Sequence, residues 1–305
     1  MRGGIQLASH TAHSAGFHQP GTRIGLVAGW GRFPIVLAET LRESGYPIYC
    51  LGVKDHADPV LQSICTDFKW IGLAKLGGSI RYFKRNGVTA ATMAGKIHKV
   101  RLYQRWAWLK HLPDWAALKT FYPHFIASKK DRRDDTLLTA IVDAFSTAGI
   151  TFGPATDYAP ELLVKFGQLT QRGPSTAQLK DIELGWTLAK EMGRLDVGQS
   201  VVVKDRTPIA IEAIEGTDEC IRRAGQLCRA GGFTVVKTAK PQQDMRFDVP
   251  TIGLGTLETM LATGGKLLAV EANRTILVDQ QQCIDFANQH GLIVVALDHA
   301  GAFAS

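Results

Sequence analysis

No run of about 18 apolar residues occurs anywhere in the 305-residue chain, so the sequence offers no membrane-spanning helix. The first residues, MRGGIQLASHTAHSAGFHQPGT, lack the apolar stretch of a secretory signal. Cysteine is sparse. Five residues, Cys50, Cys65, Cys220, Cys228 and Cys283, form an odd set without a C-x-x-C pair. That disfavours a disulfide scaffold or a zinc site and predicts reduced thiols in a cytoplasmic protein. Internal repeats and low-complexity tracts are also missing. Acidic residues are outnumbered, 28 against 35 Lys and Arg, for a formal charge of +7. Anionic partners are expected, without a choice among phosphates, nucleotides, lipid surfaces and nucleic acid.

What is present reads as two domains of mixed α/β structure. Residues 1–21 are polar and aperiodic and are expected to be a disordered extension. Arg23–Gly29, then WGRFP, then IVLAETLRESG, predict strand, glycine turn and helix, and Pro47–Val53 predicts a second, parallel strand. A helix over 76–86, a strand over 88–94 and a helix capped by Asp134 and Asp135 continue the alternation of a Rossmann-like parallel sheet over 22–155. The periodicity breaks between Pro154 and Pro174. Residues 156–305 are predicted to form a second, mixed α/β domain. It opens with a helix over 176–192 ended by Gly193, followed by a hairpin of 200–204 and 208–214 around residues 205–207. It closes with a helix at 256–263, strands at 267–271 and 275–279, a helix at 280–290 and a strand at 292–297.

Five segments carry candidate chemistry. The turn Ala28–Pro34 could present amides to phosphate at a helix start, with Gly29 and Gly31 as its contacts. It lacks the third glycine of a dinucleotide fingerprint, which argues against NAD. Lys96–Arg133 holds ten basic residues, two Asp and seven aromatics. This suits a lipid interface, a pair of basic helices packing their tryptophans inward or, less well, nucleic acid. In Gly193–Gln199, Arg194 and Asp196 are expected to pair with each other. Glu212 and Ile214 are expected on one side of a strand ending at Glu215, with Thr217 or Asp218 capping the next helix. Carboxylates at such an edge could hold Mg²⁺. Lys237–Gly253 combines Lys237, Lys240 and Arg246 with Asp244 and Asp248, the mixture of cations and carboxylates that phosphoryl chemistry needs.

The runs GRLDVGQSVVVKD, AIEAIEGTD and VVKTAKPQQDMRFDVPTIG resemble the UDP-2,3-diacylglucosamine pyrophosphatases of the lipid A pathway, in the metal-dependent type built from two α/β domains rather than the calcineurin-like type. IGLVAGWGRFPIVLAE, HADPVLQ, LGGSIRYFKRNGVT, MAGKI and DDTLLTAIVDAF follow the same family's order, so the likeness runs from Arg23 onward. It implies hydrolysis of the substrate's pyrophosphate to UMP and 2,3-diacylglucosamine 1-phosphate, with Mg²⁺ or Mn²⁺, in a cleft between the domains. Asp248, in Arg246-Phe247-Asp248-Val249-Pro250-Thr251, is then the expected catalytic residue. Glu215 and Asp218 join it as metal ligands, and Gln199, Thr217, Lys237, Lys240, Arg246 and Thr251 join Gly29 and Gly31 as substrate contacts. The doubly acylated substrate suggests a peripheral place at the inner membrane surface, no nucleic-acid partner and room for a homodimer.

Overall fold

The computed structural model describes residues 21–97, 114–117, 134–246 and 248–303. The expected extension over 1–21, except Gly21, and most of the basic aromatic segment lie outside them. The chain divides into two compact units, Met1–Ala159 and Pro160–Ser305. The division falls within the aperiodic stretch between Pro154 and Pro174.

The first unit is a five-stranded parallel sheet in the order β3-β2-β1-β4-β5. Its strands are β1 (Ile24–Ala28), β2 (Ile48–Val53), β3 (Asp67–Ile71), β4 (Ala90–Ala94) and β5 (Thr151–Phe152). The helices are α1 (Phe33–Glu43), α2 (Leu61–Ile64), α3 (Leu76–Arg85), α4 (Asp134–Thr147) and α5 (Ala155–Tyr158). Both Asp134 and Asp135 belong to α4 itself, which replaces the expected cap. The centre of the sheet is apolar on both faces, as parallel strands covered by helices require. Phe83, Phe145 and Phe152 stack through centroids 5.9 and 4.8 Å apart. Gly25 makes room for them, since a Cβ there would lie 2.9 Å from the Phe83 ring. The strand order reverses between β1 and β4, the place where doubly wound sheets take ligands.

The second unit is a six-stranded mixed sheet in the order β6-β13-β11-β9-β7-β8. Its strands are β6 (Gly167–Gln168), β7 (Ser200–Lys204), β8 (Thr207–Ile211), β9 (Phe233–Lys237), β11 (Gly265–Glu271) and β13 (Ile293–Leu297). β9, β11 and β13 are parallel; β7 runs against β9, β8 against β7, and β6 against β13. A small parallel pair joins β10 (Thr251–Ile252) to β12 (Ile276–Leu277). The helices are α6 (Thr176–Arg194), α7 (Thr217–Leu227), α8 (Leu254–Thr263) and α9 (Gln280–His290).

Strand alternation sorts two cores. Ile182, Trp186 and Ala189 of α6 pack with Val201, Val203, Val236, Leu267 and Ala269. Ile221, Leu257, Met260 and Cys283 of α7, α8 and α9 pack with Val202, Phe233, Val235 and Leu268 on the other face. Each fully buried aliphatic side chain contributes about 1.5–3 kcal/mol. The same alternation sends the strand-end residues Lys237 and Glu271 to opposite faces of the sheet.

Several local expectations change. The hairpin turns on Asp205 and Arg206 alone, both with positive φ (51° and 58°), the geometry of a tight two-residue turn that matches strand twist. β8 ends at Ile211 rather than residue 214. Glu212 is therefore buried while Ile214 is fully exposed, and they do not share a face. Gly193 lies inside α6, which runs on to Arg194 and is capped at Leu195. β12 is two residues long, shorter than the strand expected over 275–279, and β4 starts at Ala90.

Candidate active site

In the first unit, the glycine turn closes the carboxyl end of β1 against that of β4. The Gly29 amide donates to the Ala94 carbonyl (2.8 Å), and Trp30 exchanges backbone hydrogen bonds with Lys96 (2.8 and 2.9 Å). A Cβ on Gly29 would lie 2.8 Å from the Lys96 carbonyl, so this glycine serves a close backbone approach and its amide is already committed. Gly31, at φ +111°, makes the turn into α1. Arg32 reaches along the helix to Glu39 at 3.2 Å.

In the second unit, the segments picked out by sequence meet at the carboxyl end of β9. Lys237 is 5% exposed. Its ammonium donates to Thr217 Oγ1 (3.0 Å) and to the Thr251 carbonyl (3.2 Å). Thr217 in turn donates to Glu212 Oε1 (3.0 Å), and Ser200 Oγ lies 3.3 Å from Thr217 Oγ1. The hydroxyl expected to cap α7 is instead the middle of a Lys–Thr–Glu chain. The N-cap is Gly216, at φ 85°, with no side-chain hydrogen bond. Asp218 is no cap either, since its Oδ1 accepts from Thr256 Oγ1 at 2.8 Å.

Glu212, expected as one of the carboxylates at this strand edge, ends that chain. It is 7% exposed, and its Oε2 is buried without a hydrogen-bond partner. Two neighbours on this edge, Gln199 Oε1 and Thr238 Oγ1, are buried in the same unsatisfied state. Buried polar atoms are nearly always paired. Three unpaired ones lie on adjoining strand ends here, and Thr234 Oγ1 and Thr275 Oγ1 elsewhere in the unit share that state. Gly198 permits the close backbone approach at this point, because a Cβ there would fall 2.0 Å from the Glu212 carbonyl oxygen.

The loop from Lys237 to Thr251 lies over this edge with its charges held by neighbours. Arg246 binds Asp244 through Nε (3.0 Å) and Nη2 (2.6 Å). Burial pushes the Asp244 carboxyl up, but hydrogen bonds from Arg246 outweigh it and hold the group below the ordinary aspartate range. Lys240 pairs with Asp196 at 2.7 Å and Arg194 with Glu191 at 2.9 Å, so the expected Arg194–Asp196 pair does not form. Asp248 is exposed and accepts from Gln243 Nε2 at 2.6 Å.

The three carboxylates expected to share a metal have separate partners. Glu215 accepts from Arg223 at 2.5 Å and from the Ala213 amide at 3.1 Å. Its own amide, Arg223 and the Ala213 amide hold its carboxyl below the ordinary glutamate range against a desolvation penalty. Among the described residues, no three His, Cys, Asp or Glu side chains converge to hold an ion.

Both halves match one family. The LpxI N-terminal domain matches residues 23–162 and the LpxI C-terminal domain residues 165–295. The UDP-2,3-diacylglucosamine pyrophosphatase LpxI of Caulobacter vibrioides is 30% identical over 283 residues, covering 90% of this chain and 98% of that protein. Among solved structures, the precorrin-6A reductase CobK aligns over 93% of this chain and 90% of its own at 14% identity and a TM-score of 0.27, a likeness too slight to carry an argument.

Proposed function

The chain belongs to the LpxI family, and from that premise we propose that it hydrolyses the pyrophosphate of UDP-2,3-diacylglucosamine to UMP and 2,3-diacylglucosamine 1-phosphate, a step of lipid A biosynthesis. The observation that carries this reading is the 30% identity to the Caulobacter pyrophosphatase over nearly the full length of both chains. The chemistry at the end of β9 supports it. Lys237, Lys240 and Arg246 supply positive charge, and each is oriented by an oxygen partner rather than left to swing in solvent. Charge fixed in place before the reaction stabilises a phosphoryl transition state at little reorganisation cost.

In this reading Asp248 accepts the proton of the attacking water, and Gln243 holds its carboxylate in position. Lys237 neutralises a phosphate oxygen, with the Glu212–Thr217 chain keeping its ammonium at the site. The Thr251 carbonyl also holds that ammonium, and Gln199 is a further substrate contact in this reading.

A divalent cation, Mg²⁺ or Mn²⁺, is part of the proposal. Mg²⁺ commonly takes one or two protein carboxylates and draws its remaining ligands from substrate phosphates and water. An exposed Asp248 fits that pattern, with Asp218 as its candidate companion, whereas Glu215 is engaged by Arg223. When bound, such an ion would supply charge neutralisation at the pyrophosphate and a lowered pKa for water. A peripheral place at the inner membrane surface belongs to the same proposal. Trp115, 81% exposed, is the described part of the basic aromatic segment that supports it. No described helix is long and apolar enough to cross a membrane.

The test is release of UMP from UDP-2,3-diacylglucosamine in mixed micelles, with and without Mg²⁺. Wild-type chain is expected to release UMP, and Asp248→Ala to fall by at least about 100-fold in kcat, the scale of losing a positioned acid–base group. Absence of UMP from the wild-type reaction would overturn the activity. Full activity in Asp248→Ala would overturn the role given to that residue and leave the activity standing.

A further inference from the structure

Past the end of β9 the chain enters the Lys237–Thr251 loop, and the start of that loop is held from the sheet face opposite Lys237. Thr238 donates its amide to the Gln199 carbonyl (3.0 Å). Ala239 is completely buried and lies beyond the last strand pairing, which is at Lys237. Its amide and carbonyl still need partners, and side chains supply both. The amide donates to Glu271 Oε2 (2.8 Å) at the end of β11, and the carbonyl accepts from Lys190 Nζ (3.3 Å) of α6. Lys190 also donates to Glu271 Oε2 at 2.7 Å, which closes a ring of three partners.

Charge balance alone does not call for this arrangement. Glu271 is completely buried, and its other oxygen is answered separately, by His299 Nδ1 at 2.7 Å and Arg274 Nη1 at 3.9 Å. Neutralising the carboxylate therefore does not rest on Lys190. The Lys190 ammonium lies 5.3 Å from the centre of the Trp186 ring, and its side chain is 17% exposed. A long side chain held at its stem and at its tip has little rotamer freedom left, so it grips Ala239 with little sway.

From Ala239 the restraint passes along the loop by hydrogen bonds. The amide of the next residue, Lys240, donates to Gln243 Oε1 at 2.8 Å. Gln243 Nε2 donates to Asp248 Oδ2 at 2.6 Å. The exposed carboxylate that takes the water proton is thereby tied to a buried one on the far side of the sheet edge. We propose that Glu271 and Lys190 are positioning residues for the hydrolysis: they fix Ala239, and through Lys240 and Gln243 they set where the Asp248 carboxylate stands. The proposal rests on the pyrophosphatase reading and extends it to two residues outside the Asp248 loop.

Hydrogen exchange and kinetics of the full chain test it together. The variants are Lys190→Met, which keeps the stem and removes the ammonium, and Glu271→Gln. Amides over 239–248 are expected to exchange about tenfold faster in both, with the first unit and the rest of the second sheet at wild-type rates. UMP release should fall at least about tenfold in kcat while KM stays within about twofold, because misplacing a reacting group costs rate before binding. Ser175→Ala, at the other end of α6, is the structural control: it should lower the urea midpoint and leave loop exchange and kcat unchanged. Should Glu271→Gln fail to fold, Lys190→Met decides alone. The proposal is overturned if loop exchange or kcat in Lys190→Met matches the wild type, or if protection is lost evenly across the second unit, as a purely structural role requires. Hydrolysis by the wild type with unchanged loop exchange in the variants removes the positioning role and keeps the activity. A chain that releases no UMP but loses loop protection in both variants keeps the restraint on the loop and removes the hydrolysis.

Discussion

A carboxylate enclosed by protein must be answered by donors, and Glu271 draws them from three separate elements of the chain. Burial pushes its carboxyl up, but hydrogen bonds from Lys190, His299 and the Ala239 amide outweigh this and hold it below the ordinary value of 4.5. A group depressed in the folded state stabilises the fold above its unfolded pKa and loses that contribution as pH falls through the folded value. Resistance to urea should therefore decline as pH falls below about 4.5, and Glu271→Gln should flatten that part of the curve. The same substitution is expected to cost about 3 kcal/mol at neutral pH, since it leaves half-buried Lys190 beside a neutral amide. Gly198→Ala tests the other face. With 2.0 Å between the added Cβ and the Glu212 carbonyl, the entry to β7 must shift, at about 3 kcal/mol of stability. Thiol chemistry gives a third residue-level outcome. Burial pushes Cys283 up to about 11 and Cys220 up to about 12, so both should resist iodoacetamide while half-buried Cys65 and Cys228 react first.

Among the described elements, α6 has a self-contained start signal. Ser175 Oγ accepts from the Gln178 amide at 3.3 Å, and the Ser175 amide donates to Gln178 Oε1 at 2.9 Å. Ser175→Ala is expected to lower stability by about 1 kcal/mol, readable from the urea midpoint. Elements of this regular kind were legible in the sequence. The helix 280–290 has the bounds its periodicity predicts, and the opening strand–turn–helix–strand is parallel as the β-α-β pattern requires. Element ends were less legible, for physical reasons. Period-2 alternation continues through Glu212 to Ile214, yet the chain leaves the sheet at Ile211. Thr217 and Asp218 have the chemistry of caps, but a buried glutamate and Thr256 claim them first. Local propensity cannot foresee a partner supplied from another strand. For the site, charge patterning located the Lys237–Thr251 loop and the edge carboxylates Glu212 and Glu215, but not Glu271 or its basic partners. Those depend on which strand ends become neighbours.

At the scale of the molecule, each unit carries its own sheet and its own core. The expectation is departure from a single two-state transition, with a van't Hoff enthalpy well below the calorimetric one in a thermal scan. The outer strands of the two larger sheets have a shared character. β5 and β6 are two residues long, β8 carries exposed Pro208 without an amide hydrogen, and β3 shows Asp67 and Lys69 to solvent. Short, proline-bearing and charged borders are poor templates for a foreign strand. A concentrated solution of this chain should therefore resist growing fibrils, and any pairing of two copies has to be built from side chains meeting side chains rather than from a shared, continued sheet.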